Sequence, residues 1–512
     1  SCLSTRAVPT SLRHRATSVV LEPPKNTPSF VIDQKNRSYK HQYSNIYFVR
    51  LRLLKDTVCQ AAEARWKNID GSKLCYIVGT VYMEMPLKPN VLEDIARDRS
   101  LPTLPPQRKI CSEDDEIMLE DESGRIQLVG EHVKDARLVT GIVVAVLGAE
   151  TPSGEFEVVS VCSAGMPEHT PVEDDDQDVD MDVDPSSSHR MSVEDKQPQD
   201  EWIGVISGLD IGSEATASEA SIQLLVEYLT GEQGGVTDEQ TASCISRLII
   251  AGNSLAPIEP TELNEDKKSR YGQETSTFSP HPLKTLSSHL LDVGRAMPVH
   301  ILPGETDPAG AILPQQALPR RMFGDVSNFD SFRCETNPTY VRVGTTNTSR
   351  RRVVRDILIN SGQPLNDLFK YLPSPPHTRL SILESTLRWR HMAPTAPDTL
   401  WCHPYFTADP FMLQTCPHIC IVGNQKRFAT KMVSANADQA RAKSKGGDEE
   451  DQARCRIVMV PSFSQTGVLV LINLRTLGVK TVKFATQNMT GGSSMITDEP
   501  KGMSCRRIGA LQ

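Results

Sequence analysis

The chain has 512 residues, 38% of them hydrophobic, and a formal net charge of -9. That length exceeds one ordinary domain and predicts two or three, with enough apolar content for real cores. The acidic balance excludes a protein that grips nucleic acid through its overall field, twelve singly scattered cysteines exclude a dense disulfide framework and fit a reducing compartment, and no window nears the ~18 consecutive apolar residues of a membrane helix.

The opening SCLSTRAVPTSLRHRATSVV carries Arg6, Arg13 and Arg15 with Ser and Thr and no acid, which imitates a mitochondrial presequence. The expectation is a disordered tail over residues 1–28. In QYSNIYFVRLRLLKDTVCQAAEARW, Ile46, Val49, Leu53, Val58 and Ala61 fall near helical spacing and predict one amphipathic helix within a helical segment spanning 29–68. From Leu74 to Cys162 the texture turns to alternation, with hairpins at Glu122-Ser123-Gly124 and Pro152-Ser153-Gly154. Five strands without a βαβ unit predict a small closed barrel of the OB type over residues 69–165.

The stretch VEDDDQDVDMDVDPSSSHRMSVEDKQPQD is acidic and nearly devoid of apolar side chains, so residues 166–200 read as a disordered linker. Its alternating Asp residues lack the Gly that an EF-hand loop needs at its sharp turn. Beyond it strands alternate with helices: WIGVISG, SEASIQLLVEYLTG, ISRLIIAGN, PLKTLSSHLLDVGRAM and VHILPGE, then ILINSGQP, TRLSILESTLRWRHM, HICIVGN, CRIVMVPSF and VLVLINLRTL. This α/β pattern predicts a parallel-rich sheet between helical layers over residues 201–486, with a mobile insertion at 435–454 and a disordered tail at 487–512. GEQGG at 231–235 follows a helix and reads as its stop, not as a phosphate loop.

Ligands of open α/β sheets lie at the carboxyl ends of the strands. A binuclear phosphoesterase needs His, Asp and Asn there, because two adjacent cations must be held while a bridging water is activated. Here the first end carries Gly208 and Asp210, the second Asn253 and Ala256, and the third Glu305, Thr306 and Asp307. The fourth has Ser361 where an imidazole would be expected, and the fifth Asn424 and Lys426. None of the five ends supplies an imidazole, and an ammonium at Lys426 would repel a metal. The site reads as a degenerate relic with no metal and no catalytic residue. Gly208, Gly252, Gly304 and Gly423 are expected at sharp strand-to-loop turns, and Asp307, before Pro308, as the cap of a turn.

Two other constellations carry little. Cys402, His403, Cys416, His418 and Cys420 offer soft ligands, but without paired knuckles they read as core residues. The barrel has few aromatics, Tyr76, Tyr82 and Phe156, and an acidic run of Glu113, Asp114, Asp115, Glu116, Glu120, Asp121 and Glu122, which disfavours phosphate contact. Arg350, Arg351, Arg352 and Arg355 read as a solvated loop.

The stretches KLCYIVGTVYMEMPLKP, EIMLEDESGRIQLVG, VISGLDIG, RLIIAGNSL, VHILPGETDPAGAILPQQALPRRMF, SGQPLNDLFKY, APTAPDTLWCHPYFTADPF and VPSFSQTGVLVLINLRTL resemble the B-subunits, or small regulatory subunits, of the eukaryotic replicative DNA polymerases, the delta branch most closely. The resemblance runs from about residue 29 to about residue 475. It implies an OB-type β-barrel joined to an inactive calcineurin-like phosphoesterase β-sandwich. It also implies a nuclear, non-catalytic scaffold in DNA replication and repair that holds the cysteine-rich C-terminal domain of the catalytic subunit and a third subunit, touching DNA only through the holoenzyme. The family's iron–sulfur and zinc sites belong to the catalytic subunit, so no cofactor is implied here. The alternatives from the residues are a metal-dependent 3′–5′ phosphodiesterase or nuclease and a single-stranded DNA-binding OB module.

Overall fold

The computed structural model describes residues 15–24, 27–33, 42–67, 74–89, 108–170, 201–213, 216–232, 234–257, 280–345, 353–435 and 453–484. Most of the expected linker, insertion and terminal tails, and Arg350 to Arg352, lie outside these residues.

The first half contains β1 (Ser18–Leu21), α1 (Asn45–Trp66), β2 (Cys75–Glu84), β3 (Glu116–Glu120), β4 (Arg125–Val129), α2 (Glu131–Asp135), β5 (Val143–Glu150) and β6 (Phe156–Ser163). Strands β2-β3-β4-β6-β5 close into a barrel, with turns where Gly124 and Gly154 punctuate the sequence. The run VVAVLG in β5 is apolar throughout because both faces of the strand are covered. Val144 and Val146 join Val81, Leu119, Leu128 and Phe156 in one core cluster, while Val143, Ala145 and Leu147 pack on Leu51, Leu54 and Val58 of α1.

The second half begins with β7 (Trp202–Ile206), α3 (Thr216–Thr230), α4 (Val236–Ser243), β8 (Ile245–Ala251), α5 (Pro280–Ala296) and β9 (Val299–Leu302). A 3-10 segment (Arg320–Asn328), β10 (Phe332–Cys334), β11 (Thr339–Thr345), β12 (Val354–Asn360), α6 (Gln363–Tyr371) and α7 (Arg379–Arg388) follow. The chain then forms β13 (Ile419–Gln425), β14 (Ala429–Ser434), β15 (Arg454–Pro461), α8 (Phe463–Thr466), β16 (Val468–Asn473) and β17 (Val479–Lys483).

These strands make two six-stranded sheets, β1-β11-β12-β13-β15-β14 and β10-β9-β8-β7-β16-β17. The single sheet that strand–helix alternation suggests is therefore a pair, because the antiparallel strands β1, β11, β14, β16 and β17 extend each parallel centre. Ile203, Val205, Ile249 and Leu302 of one sheet meet Val343, Ile357, Ile421 and Val458 of the other. Helices α3 and α5 cover one outer face through Leu225, Leu229, Leu286 and Leu290. On the other outer face, α6 and α7 share one continuous cluster with the barrel core, from Leu365 and Leu383 to Val146 and Phe156.

One buried charge group ties barrel, helix and sandwich together. Arg50 on α1 is fully buried. It donates from Nε to Asp409 Oδ2 (2.6 Å), from Nη1 to Pro394 O (2.7 Å) and from Nη2 to Ala396 O (2.6 Å). His391 Nε2 donates to the same carboxylate oxygen (2.8 Å), its Nδ1 accepts from Ala393 N (3.1 Å), and Phe411 N donates to Oδ1 (2.9 Å). Burial pushes the Asp409 carboxyl up, but Arg50 and His391 outweigh it and hold it far below the usual carboxylate range.

Several expectations are corrected. The buried face of α1 holds Leu54 and Ala62, whereas Leu53 is exposed and Ala61 only partly buried. Residues 29–33, expected in a helical segment, are not helical, and Phe30 stacks on Tyr340 at 5.7 Å. Inside the expected N-terminal tail, β1 pairs antiparallel with β11. At the expected start of the linker, His169 stacks on His418 (4.3 Å, 7°) and accepts from Arg454 N. GEQGG stops α3 at the positive φ of Gly231, and Gly235 then caps α4, which the sequence pattern does not reveal. Arg355 is in β12, bonded to Leu474 O and Arg475 O.

Replacing Arg50 with Ala leaves Asp409 buried without its guanidinium, and the expected loss is about 3–5 kcal/mol. Urea denaturation reads this directly; an unchanged midpoint would show that the group does not couple α1 to the sandwich.

Candidate functional site

The ends of β7, β8, β9, β12 and β13 converge at one edge of the sandwich. Gly208 N donates to Gly252 O (2.9 Å), Asp210 N to Asn253 O (3.1 Å), and Asn424 Nδ2 to Ser361 O (2.8 Å). Gly208 and Gly252 leave their strands at positive φ, 62° and 84°, as sharp turns require. Asp210, Asn253 and Asn424 also lie in the left-handed region, which short polar side chains tolerate. Gly304 and Gly423 do not turn this way. Their need for glycine is close approach: a Cβ on Gly304 would overlap the Asn253 backbone and amide, and one on Gly423 the Ala251 carbonyl.

Asp307 is the centre of the cluster and is 5% exposed. Its Oδ1 accepts from Ser254 N and Leu255 N (2.9 Å each), and its Oδ2 from Gly304 N (2.8 Å). It therefore joins the β8 and β9 loops, beyond the local turn expected before Pro308. Burial pushes its carboxyl up to about 6, against the pull of the N–H donors. Asp210 accepts from Ser464 Oγ (2.6 Å) and Ser462 Oγ (3.5 Å), and burial raises it too. Both carboxylates are thus engaged by the protein's own donors.

A buried amide network completes the edge. Asn337 Nδ2 reaches Gln315 Oε1 (2.7 Å), Ser361 Oγ (2.6 Å) and Gln363 Oε1 (3.0 Å), while its Oδ1 accepts from Ser361 N (2.9 Å). Gln315 Nε2 donates to Gly304 O (2.9 Å) and Gly310 O (3.0 Å). Sequence reasoning finds Ser361 and misses the three amides. The signal for them lies in LPQQ, NPTY and SGQP, where each of the three sits beside a proline.

Of the remaining expected positions, Thr306 Oγ1 donates to Leu255 O (2.7 Å) and Ala256 contributes a backbone bond to Ile211 O. Glu305 and Lys426 point to solvent and take no part. Asn424 Oδ1 is buried without a hydrogen-bond partner, but one neutral acceptor does not hold a divalent cation. Among the described residues, no group of three or more His, Cys, Asp or Glu side chains is arranged to hold a metal ion.

The three cysteines from Cys402 to Cys420 belong to the core. Cys402, Cys416 and Cys420 are buried, and burial pushes the Cys402 and Cys420 thiols up to about 12. His418 Nδ1 accepts from Asp356 N (3.1 Å). On the barrel, Phe156 is buried, Tyr76 donates to Glu63 beside Trp66, and the Tyr82 ring lies beside Lys88 and Arg125. These rings make no free stacking platform.

Asp307→Asn places an amide NH2 or a single oxygen where two oxygens meet three N–H donors. A purely local turn cap would lose little from this change; the geometry predicts about 1–3 kcal/mol, with Asp307→Ala at least as costly. Chemical denaturation of both variants decides this. For the barrel, fluorescence anisotropy should find only weak binding of single-stranded DNA at physiological salt, vanishing as salt rises; a salt-tolerant complex lost in Tyr82→Ala would contradict this.

A family profile described as the DNA polymerase delta subunit OB-fold domain matches residues 42–161, and a second, for the B subunit of DNA polymerase alpha/epsilon, matches residues 203–430. The chain is 35% identical over 463 residues to the DNA polymerase delta small subunit of Arabidopsis thaliana, covering 89% of this chain and 93% of that relative. It is 30% identical over 501 residues to the DNA polymerase delta small subunit of Saccharomyces cerevisiae, covering 90% and 92%. To the DNA polymerase delta subunit 2 of Drosophila melanogaster it is 28% identical over 468 residues, covering 89% and 96%. Identity at this level across nearly the whole length of each protein, with both profiles falling on the barrel and the sandwich, means that the chain belongs to the family of DNA polymerase delta small subunits.

Proposed function

We propose that this chain is a non-catalytic accessory subunit of a nuclear DNA polymerase delta holoenzyme, bridging the cysteine-rich C-terminal domain of the catalytic subunit and a third subunit. In this reading residues 69–165 are the OB domain and residues 201–486 a calcineurin-like phosphoesterase sandwich that has lost its metal site. It needs no cofactor of its own and meets DNA through its partners. The observation that carries the inactive reading is the fate of the acids: Asp307 gives both oxygens to three backbone N–H groups, and Asp210 accepts two serine hydroxyls. A cation at that edge would have to displace the bonds that shape it.

Among the described residues the nuclease reading lacks what it needs most, a gathered set of imidazoles and carboxylates to hold a metal and activate its water, since Glu305 stands alone in solvent. Purified protein in manganese or magnesium should release nothing from a phosphodiester model substrate or from single-stranded DNA, and manganese should leave the melting temperature unchanged. Turnover abolished by Asp210→Ala would establish the enzyme instead. Co-expression with a polymerase delta catalytic subunit, followed by pull-down, tests the scaffold role; failure to recover the pair, with both proteins folded, would reject it.

A further inference from the structure

The segment at residues 15–21 straps the two sheets together. Arg15 donates from Nη1 to Ala242 O (2.8 Å) and Ile245 O (3.1 Å), and from Nη2 to Leu229 O (2.6 Å). Three residues later Ser18 opens β1, on the edge of one sheet, and meets Arg247 of β8 in the other. Arg247 donates from Nε to Ser18 Oγ (3.2 Å) and from Nη2 to Ser18 O (2.9 Å). Its Nη1 is 2.5 Å from His300 Nε2. Ser18 is 9% exposed and Arg247 3% exposed. The strap itself is short, four residues in register with β11 from Ser18 opposite Thr345 to Leu21 opposite Arg342.

We propose that Ser18 is a phosphorylation site for a protein kinase that reads arginines ahead of its acceptor, and that strap docking and Ser18 phosphorylation exclude one another. The stretch reads Arg13-His14-Arg15-Ala16-Thr17-Ser18, with arginine three and five residues before the hydroxyl. Acidic pockets in a kinase groove recognise this spacing because each guanidinium fork pairs with a carboxylate. In the docked strap the key features are covered: three carbonyls hold the Arg15 guanidinium, and Arg247 covers the Ser18 hydroxyl. A kinase therefore reads only the released strap.

In the transfer, Ser18 Oγ attacks the γ-phosphorus of Mg-ATP; the P–O bond to serine forms as the bond to the bridging β,γ oxygen breaks. The hydroxyl proton passes to the kinase's base and ADP leaves. The product carries about two negative charges and three acceptor oxygens. Arg247 Nε lies 3.2 Å from the Ser18 hydroxyl, so a phosphoryl group on that oxygen has no room unless Arg247 swings away and gives up its bonds to the Ser18 carbonyl and His300. The modified strap stays out and leaves β11 as an open edge for another strand.

The test incubates the full chain with Mg-ATP and active protein kinase B, which reads arginine three and five residues before its acceptor. Mass spectrometry reads phosphate at Ser18, and hydrogen exchange reads the amides of residues 18–21 and 342–345. Wild type, Ser18→Ala, Arg247→Gln and a peptide of residues 11–24 are compared, with Val20→Asp as a second released variant in case Arg247→Gln does not fold. The peptide should be modified about 10-fold or more faster than wild type, with the released variant approaching the peptide rate, and phosphorylated chain should lose protection in both strands by a similar factor. An unmodified peptide overturns the site. Equal rates for peptide and wild type, or phosphorylated chain with β1 still protected, overturn the exclusion.

Discussion

The architecture depends on one buried guanidinium. Arg50 projects from a helix that lies on the barrel, yet its acceptors, Asp409, Pro394 O and Ala396 O, all belong to the sandwich half of the chain. A guanidinium offers five N–H donors in a rigid fork, so a fully buried one fixes the positions of several acceptors at once. The cost of desolvating the charge is met only when every partner is in place. Gly141, between α2 and β5, shows how tight the fit is: a Cβ there would overlap Pro394 O and crowd Arg50 Nη1. Barrel, α1 and the 394–409 loop must therefore assemble together.

The same logic governs the strand-end edge, where a buried carboxylate and a set of neutral amides take the place of the guanidinium. Strand ends that approach this closely bring backbone N–H and carbonyl groups out of water, and each needs a partner. Metal ligands would serve the edge only with the ion present. Here Asp307, Gln315, Asn337 and Ser361 supply those partners from the protein itself. Asn424 Oδ1 is the amide acceptor of this edge left without a partner.

How much of this the sequence reveals depends on where each partner lies in the chain. The barrel and the central strands of the sandwich are legible because their alternation and Val/Ile runs are local. The phase of α1 is misread because Ile46, Arg50, Leu54, Val58, Ala62 and Trp66 form the buried stripe at spacing four, and a charged residue in it hides the pattern. Strand β1 is invisible because four residues gain their reason only from β11 and Arg247, more than two hundred positions away. At the strand ends, the lack of imidazole at the five positions is readable position by position. The amide network is not, since Gln315, Asn337 and Gln363 meet only after three loops converge.

The shared core bears on what the barrel can do. An OB barrel that binds nucleic acid keeps an open face with aromatic rings over a basic groove. Here α1 covers β5 through Leu51, Leu54 and Val58. Lys109, in the chain leading to β3, donates to Phe369 O and Leu372 O (2.5 Å each) and so closes the carboxyl end of α6, favourable for a cation at a helix C-terminus. Ile110 N adds a bond to Lys370 O. What the barrel leaves to solvent near β3 and β4 includes Glu116, Glu122 and Arg125, the last of which is paired with Glu120 beside Tyr82. The barrel is thus built into its neighbour on one side and carries exposed acids on the other, an arrangement that disfavours a phosphate backbone.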